Sequence, residues 1–330
     1  MTRSDTFLTL ALALAALALA AVSTAIGYAP LDLGKAISDA LSGTDSLERI
    51  VFVELRVPRA ILGAAVGFSL GLTGAAMQGL LRNPLADPGV VGVSSGAALG
   101  AVIAFYSGLS QGFALALPLG GILGAAITAG AVFWMGGRGT STAALILAGI
   151  ALSSLAGALT ALALNLSPNP YAVLEIIFWL MGSLNDRSLN HVALALPLMA
   201  LGWGLMLSSA HALDALSLGE DTARSLGFDL KRVRLKLIAG AALSVGSAVA
   251  VTGAIGFVGL IVPHLLRPLI GHSPGRLLLV SGFGGAVLTL AADIAVRMLP
   301  IEPELKLGVV TALVGAPFLF SLLWRARREA

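Results

Sequence analysis

The chain has 330 residues, of which 57 % are hydrophobic and 11 % are charged, and its formal net charge is +3. A water-facing surface needs about 25 % charged residues, so most of this chain must lie in a non-aqueous solvent. The small, dispersed positive charge excludes a nucleic-acid-binding surface. Because cysteine is absent, disulfides, thiolate catalysis and Cys-ligated metal sites are excluded as well.

Ten apolar stretches approach the length of a membrane span. A helix that crosses about 30 Å of hydrocarbon needs about 20 apolar residues, so the sequence predicts an all-α membrane protein with about ten transmembrane helices. The stretch 257–270 is short and contains Pro263, which predicts a broken or partial crossing. The predicted spans are 7–28, 60–81, 90–106, 115–135, 143–166, 191–208, 235–252, 257–270, 277–298 and 307–324.

The first span and the charge distribution predict the orientation. The first span follows Arg3, as a signal peptide would, but its apolar run is longer and nine more spans follow, so we expect a retained helix. Lys and Arg are retained on the cytoplasmic side of membranes. With both termini inside, thirteen of the 20 Lys and Arg residues are cytoplasmic. This favours cytoplasmic termini and leaves an outer basic cluster, with Arg56, Arg59 and Arg297, to be explained.

Small residues recur every four positions within the predicted spans, and Gly74, three positions after Gly71, lies on the same helix face. Such spacing lets helix backbones approach closely in a membrane, so it predicts a compact bundle and carries no substrate information. These residues are Gly63, Gly67, Gly71 and Gly74; Gly96 and Gly100; Gly120 and Gly124; and Gly149, Ser153 and Gly157.

A short motif that occurs twice in the sequence predicts an inverted internal repeat. Thr73-Gly74-Ala75 is followed by Leu81 and Pro84, and Thr252-Gly253-Ala254 is followed by a Leu and a Pro at the same offsets. The two copies lie five spans apart, so they would run in opposite directions, as the repeats of many transport folds do. Chance agreement in a chain rich in alanine and glycine is the alternative.

The sequence lacks a nucleotide-binding loop and has few ionisable residues in its spans. A phosphate loop requires Gly-x-x-x-x-Gly-Lys-Ser/Thr, and the only Gly-Lys pair, in Gly34-Lys35-Ala36, does not fit. An ion-driven carrier usually has ionisable groups within its spans; the candidates here are Glu175 and Asp293. Asp293 and Arg297 share one helix face, where a structural ion pair is favoured over a proton relay.

The longest polar stretch, 209–236, is cytoplasmic by the charge rule. Gly219 interrupts it and Gly227 ends it, while Glu220 and Asp221 stand where a second short helix would begin. Acidic residues suit the N-terminus of a helix because of its dipole. The pattern predicts two short helices hinged at a glycine, and a docking lever for a soluble partner is favoured over a solvated interfacial loop.

A series of motifs runs in order from about residue 50 to the C-terminus. The motifs are Arg56-Val-Pro-Arg59, Gln78 with Arg82-Asn-Pro-Leu-Ala-Asp-Pro-Gly89, Gly92-Val-Ser-Ser-Gly96, Leu147-Ala-Gly-Ile-Ala-Leu152, Phe178-Trp-Leu-Met-Gly-Ser183, Leu218-Gly-Glu-Asp-Thr-Ala-Arg-Ser-Leu-Gly227, Gly256-Phe-Val-Gly-Leu-Ile-Val-Pro-His264, Ala292-Asp-Ile-Ala-Val-Arg297 and Gly308-Val-Val-Thr-Ala-Leu-Val-Gly-Ala-Pro317. Together they resemble the iron-chelate, haem and cobalamin permeases, the FecCD-type transmembrane subunits of type II ATP-binding-cassette importers.

The resemblance implies the type II importer permease fold for a single transmembrane domain, 1–330, in the lipid of the bacterial inner membrane. Such a subunit forms a homodimer around a central path lined by the fifth span. Two ATPase subunits dock on the cytoplasmic side and a periplasmic substrate-binding protein docks on the other. The chain is then no enzyme, and it binds no cofactor or metal, since ATP and Mg are used by the partner ATPase.

The resemblance also implies three sets of site residues. The coupling helices, about 212–230, would contact the ATPase through Leu218, Gly219, Glu220, Asp221, Ala223, Arg224, Leu226 and Gly227. Docking of the binding protein would use Arg56, Arg59 and Arg297, for which arginines that reach lipid headgroups are the alternative. The cytoplasmic gate would comprise Asn83, Leu85, Ser141 and Thr142.

The sequence gives little information about which substrate is transported. The fifth span offers no metal ligand and no charged recognition group. A ferric siderophore is preferred because it is the most frequent substrate of the family, with cobalamin and haem as alternatives. An ion-coupled secondary transporter is an alternative of a different class, and the scarcity of membrane carboxylates counts against it.

Overall fold

The computed structural model describes residues 3–27, 30–113, 115–136, 142–301 and 303–329. Every regular element within these residues is helical. The helices are α1 (Arg3–Ala25), α2 (Leu33–Ser42), α3 (Leu47–Ile50), α4 (Val57–Leu81), α5 (Val93–Tyr106), α6 (Leu109–Gly112), α7 (Ala116–Gly136), α8 (Thr142–Asn165), α9 (Pro170–Leu180), α10 (Leu189–Leu207), α11 (Ala210–Ser217), α12 (Glu220–Ser225), α13 (Leu230–Thr252), α14 (Val258–Leu266), α15 (Pro274–Met298) and α16 (Leu307–Glu329). A π-helical turn at Val51–Arg56 and 3₁₀ turns at Pro88–Val91 and Arg267–Ile270 complete the helical segments.

The predicted all-α membrane fold is confirmed. Each of the ten predicted spans contains a helix, and these helices are α1, α4, α5, α7, α8, α10, α13, α14, α15 and α16. Among the described residues, seven helical stretches are long and apolar enough to cross a membrane. The helix α14 is short, with nine residues, and contains Pro263 within it; the broken or partial crossing stays a prediction. An additional short apolar helix, α9, was not predicted as a span.

The helical stretch that contains α4 begins earlier than predicted. It runs without a break from Leu47 to Leu81, through α3 and the π-helical turn. Pro58, just after this turn, has no backbone N–H and cannot complete the normal helical hydrogen-bond ladder. The amide of Val57 instead donates to the carbonyl of Phe52, five residues back. The wider turn brings Arg56 into a buried position at the start of α4.

Glycine packing joins α4 to α15 and α5 to α7. A side chain at Gly67 would lie 2.8 Å from the Cα atom of Ala286 and would also meet the carbonyl of Gly285 on α15. Gly100 on α5 faces Gly120 on α7 in the same way. These contacts confirm the predicted role of the small-residue stripes in close backbone packing. Gly157 differs, because it faces open space on a helix that makes few contacts within this chain.

The two copies of the short repeated motif adopt different backbone conformations. Thr73-Gly74-Ala75 lies inside α4, whereas Thr252 ends α13 and Gly253 takes a φ of +73°. The chain is then unwound as far as Phe257, which starts α14 with a φ of +66°. The order of long and short helices is nevertheless similar in the two halves: α4, α5, α7 and α8 have 25, 14, 21 and 24 residues, and α13 to α16 have 23, 9, 25 and 23. The inverted repeat stays a prediction.

Candidate functional site

The two ends of the helical bundle carry different groups. At one end, which we call the α11–α12 end, the N-termini of α1 and α15 are joined by an ion pair of 2.8 Å between Asp5 and Arg276. Glu220 of α12 contacts Arg234, near the N-terminus of α13, at 2.8 Å. At the opposite end, which we call the arginine end, lie the start of α4 and the C-termini of α1 and α15.

The predicted pair of short helices is confirmed at the α11–α12 end. Gly219 has a φ of +110°, a conformation that favours glycine, and it separates α11 from α12. Gly227, with a φ of +89°, follows α12. Glu220 and Asp221 form the first turn of α12 and both pair with Arg224, at 3.0 and 2.8 Å.

One face of this helix pair is buried and its flanks are exposed. Leu213 and Leu216 of α11 are in the hydrophobic core, and Ala223 of α12 is fully buried. Leu218 and Leu226, on either side of α12, are 68 % and 60 % exposed. The α11–α12 pair therefore presents two apolar side chains away from the bundle.

Asp214 fastens α11 to the start of α15. Its carboxylate accepts hydrogen bonds from the Ser273 hydroxyl and the Gly275 amide, both at 2.8 Å. A side chain at Gly275 would lie 2.5 Å from the carbonyl of Ala210, so the two backbones are in close contact. A displacement of α11 is therefore transmitted directly to the first turn of α15.

The predicted gate residues are only partly described. Asn83 and Leu85 lie in the turn after α4, at the α11–α12 end, and both are exposed. The Asn83 side chain accepts a hydrogen bond from the Leu85 amide at 2.9 Å, which fixes the turn. Thr142 is the first residue of α8, and Ser141 lies outside the described residues. The cytoplasmic gate stays a prediction.

At the arginine end, Arg59 is held by two carboxylates. Its guanidinium donates to Asp293 from Nε and Nη2, at 3.1 and 2.8 Å. It donates from Nη1 and Nη2 to Glu304, and from Nη1 to the Asn185 side chain at 3.4 Å. Arg59 and Asp293 are only 8 % and 1 % exposed.

Arg297 and Arg56 attach the end of α1 to the same cluster. Arg297 pairs with Asp293 at 2.9 Å, which confirms the predicted structural ion pair on α15. Both arginines also donate to backbone carbonyls at the end of α1. The accepting carbonyls are those of Ser23 and Ile26 for Arg297 and of Thr24 and Ala25 for Arg56.

The three arginines are thus buried and bonded within the chain, a result that the sequence did not predict. Arg56 and Arg297 are each 6 % exposed. A role in docking stays a prediction, but their internal contacts already join α1, α4 and α15. The acidic partner Glu304 was also missed, because it lies in a connection and is 245 residues from Arg59 in sequence.

A small cavity of about 180 Å³ opens beside this cluster. Arg56, Arg59, Arg187 and Arg297 line it, and Asp186 is the only acidic residue among its lining groups. Arg187 is partly enclosed, and its Nε atom has no hydrogen-bond partner among the described residues. Burial lowers the pKa of Arg187, and the nearby Asp186 opposes that shift. The cavity therefore has an excess of positive charge, and the Nε atom of Arg187, unpaired in the described part of the chain, is buried.

A larger groove of about 610 Å³ lies where α16 passes the unwound segment after α13. Met181, Ala254, Gly308, Leu313 and Phe320 are among its lining residues, none of which is charged. Three irregular backbone segments meet here: the Ser183 amide donates to the Thr252 carbonyl at 2.7 Å, and the Gly308 amide to the Gly182 carbonyl at 3.3 Å. Non-helical backbone inside a membrane is tolerated only where it is buried in protein or lines a cavity.

The FecCD transport family matches residues 12–325. The chain belongs to this family. The vitamin B12 import permease BtuC of Vibrio cholerae is 41 % identical over 285 residues, which is 86 % of each chain. The ferric enterobactin permease FepD of Escherichia coli is 37 % identical over 313 residues, or 93 % of this chain and 92 % of its own.

A solved structure has the same fold. It is described as an inward-facing conformation of a metal-chelate type ABC transporter, and it superposes with a TM-score of 0.82 at 32 % identity, covering 97 % of this chain and 99 % of the other. This FecCD protein is therefore a multi-pass permease subunit of an ABC importer for iron chelates, haem or cobalamin. ATP hydrolysis belongs to a separate subunit of such importers.

Proposed function

We propose that two copies of this chain form the transmembrane unit of an importer that carries a bulky metal chelate from the periplasm to the cytoplasm across a bacterial inner membrane. Two ABC ATPase subunits use ATP and Mg, and a periplasmic binding protein delivers the chelate. The chain itself holds no cofactor. The observation that carries this proposal is the α11–α12 pair, which is fastened to α15 by Asp214 while Leu218 and Leu226 remain exposed.

The α11–α12 pair is suited to receive force from a soluble subunit. Exposed apolar side chains rimmed by ion pairs are typical of a protein contact, and here Leu218 and Leu226 flank the Glu220–Arg224 pair. Because α11 contacts α15 through Asp214, a push on this pair reaches a helix that spans the bundle. In this arrangement the α11–α12 end, and with it both termini, faces the cytoplasm.

The path itself offers few specific contacts. The exposed face of α8 is apolar, with Leu147, Leu155 and Leu162 more than half exposed. A dimer that places α8 and α16 of both copies around its axis would surround the chelate with such surfaces. The turn with Asn83 and Leu85, together with Ser141 and Thr142 before and at the start of α8, would then narrow the cytoplasmic exit.

Ferric siderophores are our first candidate substrate class. The similarity to FepD supports this class, because that protein is named for ferric enterobactin transport. Cobalamin is the second candidate, favoured by the 41 % and 39 % identity to the permeases BtuC of Vibrio cholerae and Halobacterium salinarum. Haem is the third, since the hemin permease HmuU of Yersinia pestis is 37 % identical.

The test is reconstitution of the importer. The chain is co-expressed with the ATPase and the binding protein encoded beside it, and the complex is purified and placed in liposomes. We expect one binding protein and two ATPases to co-purify with two permease chains, and ATP-dependent uptake of one labelled chelate: ferric siderophore, cobalamin or haem. Uptake by the chain without an ATPase, driven by an ion gradient, would contradict the proposal.

A further inference from the structure

The two carboxylates that hold Arg59 differ in their surroundings. Asp293 lies within α15, is 1 % exposed, and is shared by Arg59 and Arg297. Glu304 lies in the connection between α15 and α16, beside the exposed residues Ile301 and Pro303. Its side chain is 12 % exposed, and Arg59 is its only ion-pair partner among the described residues. Asp293 is therefore part of the helix packing, whereas Glu304 reaches the cluster from a surface connection.

With Glu304 in place, Arg59 has no donor left for another molecule. Its Nε atom faces Asp293, its Nη1 atom faces Asn185 and Glu304, and its Nη2 atom faces both carboxylates. A guanidinium has five N–H donors in a fixed fork. An acidic side chain from outside could bind Arg59 in a bidentate manner only if Glu304 left.

The neighbouring cavity is suited to such an exchange. It has a volume of about 180 Å³, and its lining includes Arg59 itself together with Arg56, Arg187 and Arg297. Removal of Glu304 from Arg59 would raise the positive charge of this region by one. The surface would then attract a carboxylate more strongly than it does in the present structure.

We propose that Glu304 is an internal substitute for the docking carboxylate: it occupies Arg59 in the undocked permease, and an acidic side chain of the periplasmic binding protein displaces it. This inference rests on the proposed function. Glu304 is three residues before α16, which lines the groove of about 610 Å³. Docking is thereby linked to the connection that precedes α16.

The test measures the affinity of the purified permease–ATPase complex in nanodiscs for the binding protein that co-purifies with it. Glu304→Gln keeps the side-chain shape but removes the competing charge, so we expect affinity to rise by about tenfold. Glu304→Asp, whose shorter side chain reaches Arg59 less well, should give a smaller rise. In an Arg59→Gln background, Glu304→Gln should have no further effect, because the donors for which the two carboxylates compete are gone.

Glu48→Gln is the matched control. Glu48 is an acidic residue near the same end, but it pairs with Lys35 at 2.7 Å and frees no donor of Arg59. It should change affinity by less than about twofold. An unchanged or weaker affinity of Glu304→Gln, with normal binding by the unsubstituted complex and a normal gel-filtration profile, would overturn this inference alone. If the unsubstituted complex bound no binding protein, both this inference and the proposed function would be wrong.

Discussion

Asp293 is the residue whose substitution should be most damaging at the arginine end. We consider Asp293→Asn, which preserves size and removes the charge. In the native chain this carboxylate accepts hydrogen bonds from Arg59 at 2.8 and 3.1 Å and pairs with Arg297 at 2.9 Å. After the substitution, two guanidinium groups remain buried with only Glu304 as a carboxylate partner.

The expected cost follows from this environment. Removal of one partner from a buried ion pair destabilises a protein by about 3–5 kcal/mol, because the remaining charge is left uncompensated. Glu304 still pairs with Arg59, so we expect a destabilisation at the lower end of this range, about 3 kcal/mol. A loss of 1 kcal/mol shifts Tm by about 2–4 °C for 150–250 residues, and less for a longer chain. For this chain of 330 residues the expected decrease in Tm is therefore at most about 6 °C.

The assay is thermal unfolding of the detergent-solubilised protein, followed by the loss of the monodisperse gel-filtration peak. Asp221→Asn is the control, since the carboxylate of Asp221 is fully exposed and pairs only with Arg224 on its own helix; no measurable shift is expected. In Asp293→Asn/Arg297→Met, removal of the second charge should recover part of the lost Tm. A Tm for Asp293→Asn within about 1 °C of the native value would refute the reasoning.

Three further predictions concern the α11–α12 end. Leu226→Glu should leave membrane insertion intact but abolish ATPase co-purification, whereas Leu226→Met should retain it; normal co-purification of the glutamate variant would contradict the coupling assignment. Burial raises the pKa of Asp87 and the hydrogen bond from the Gly89 amide opposes the shift. Since the folded state then binds the proton more tightly, stability should fall as pH rises from about 4 towards the raised pKa; Asp87→Asn should flatten that dependence of Tm on pH without lowering Tm at neutral pH. Thr142→Cys should cross-link across the dimer to an extent that depends on nucleotide, in a chain with no native cysteine; no cross-link in any nucleotide state would remove residue 142 from the gate.

Local sequence signals predicted the elements of the fold well. Apolar length identified the spans, and glycine spacing identified the helix faces that pack, as at Gly67 against Gly285. The four-residue spacing of Asp293 and Arg297 predicted their ion pair. Each of these signals lies within one helix, where the period of the helix fixes which side chains meet.

Contacts between distant segments could not be predicted in this way. Arg59 and Asp293 are 234 residues apart, and no periodicity links them. The helix α9 was missed because its 11 residues are too few for a span, although it is strongly apolar. The resemblance to a family predicted a docking role for Arg59 but gave no indication that the chain supplies its own carboxylates.

The contacts of α15 suggest how the two ends of this permease communicate. At its first turn Gly275 is bonded to Asp214 of α11, and near its last turn Asp293 is bonded to Arg59 of α4. Between these points the backbones of α15 and α4 are in direct contact at their glycines, where an added side chain would not fit. This is the most extensive contact between two helices in the described part of the chain, so we expect α4 and α15 to move together. Because α16 makes far fewer contacts with the rest of the chain than α4 and α15 do, and much of α8 is exposed, we expect the relative motion that opens a path to occur at these two helices.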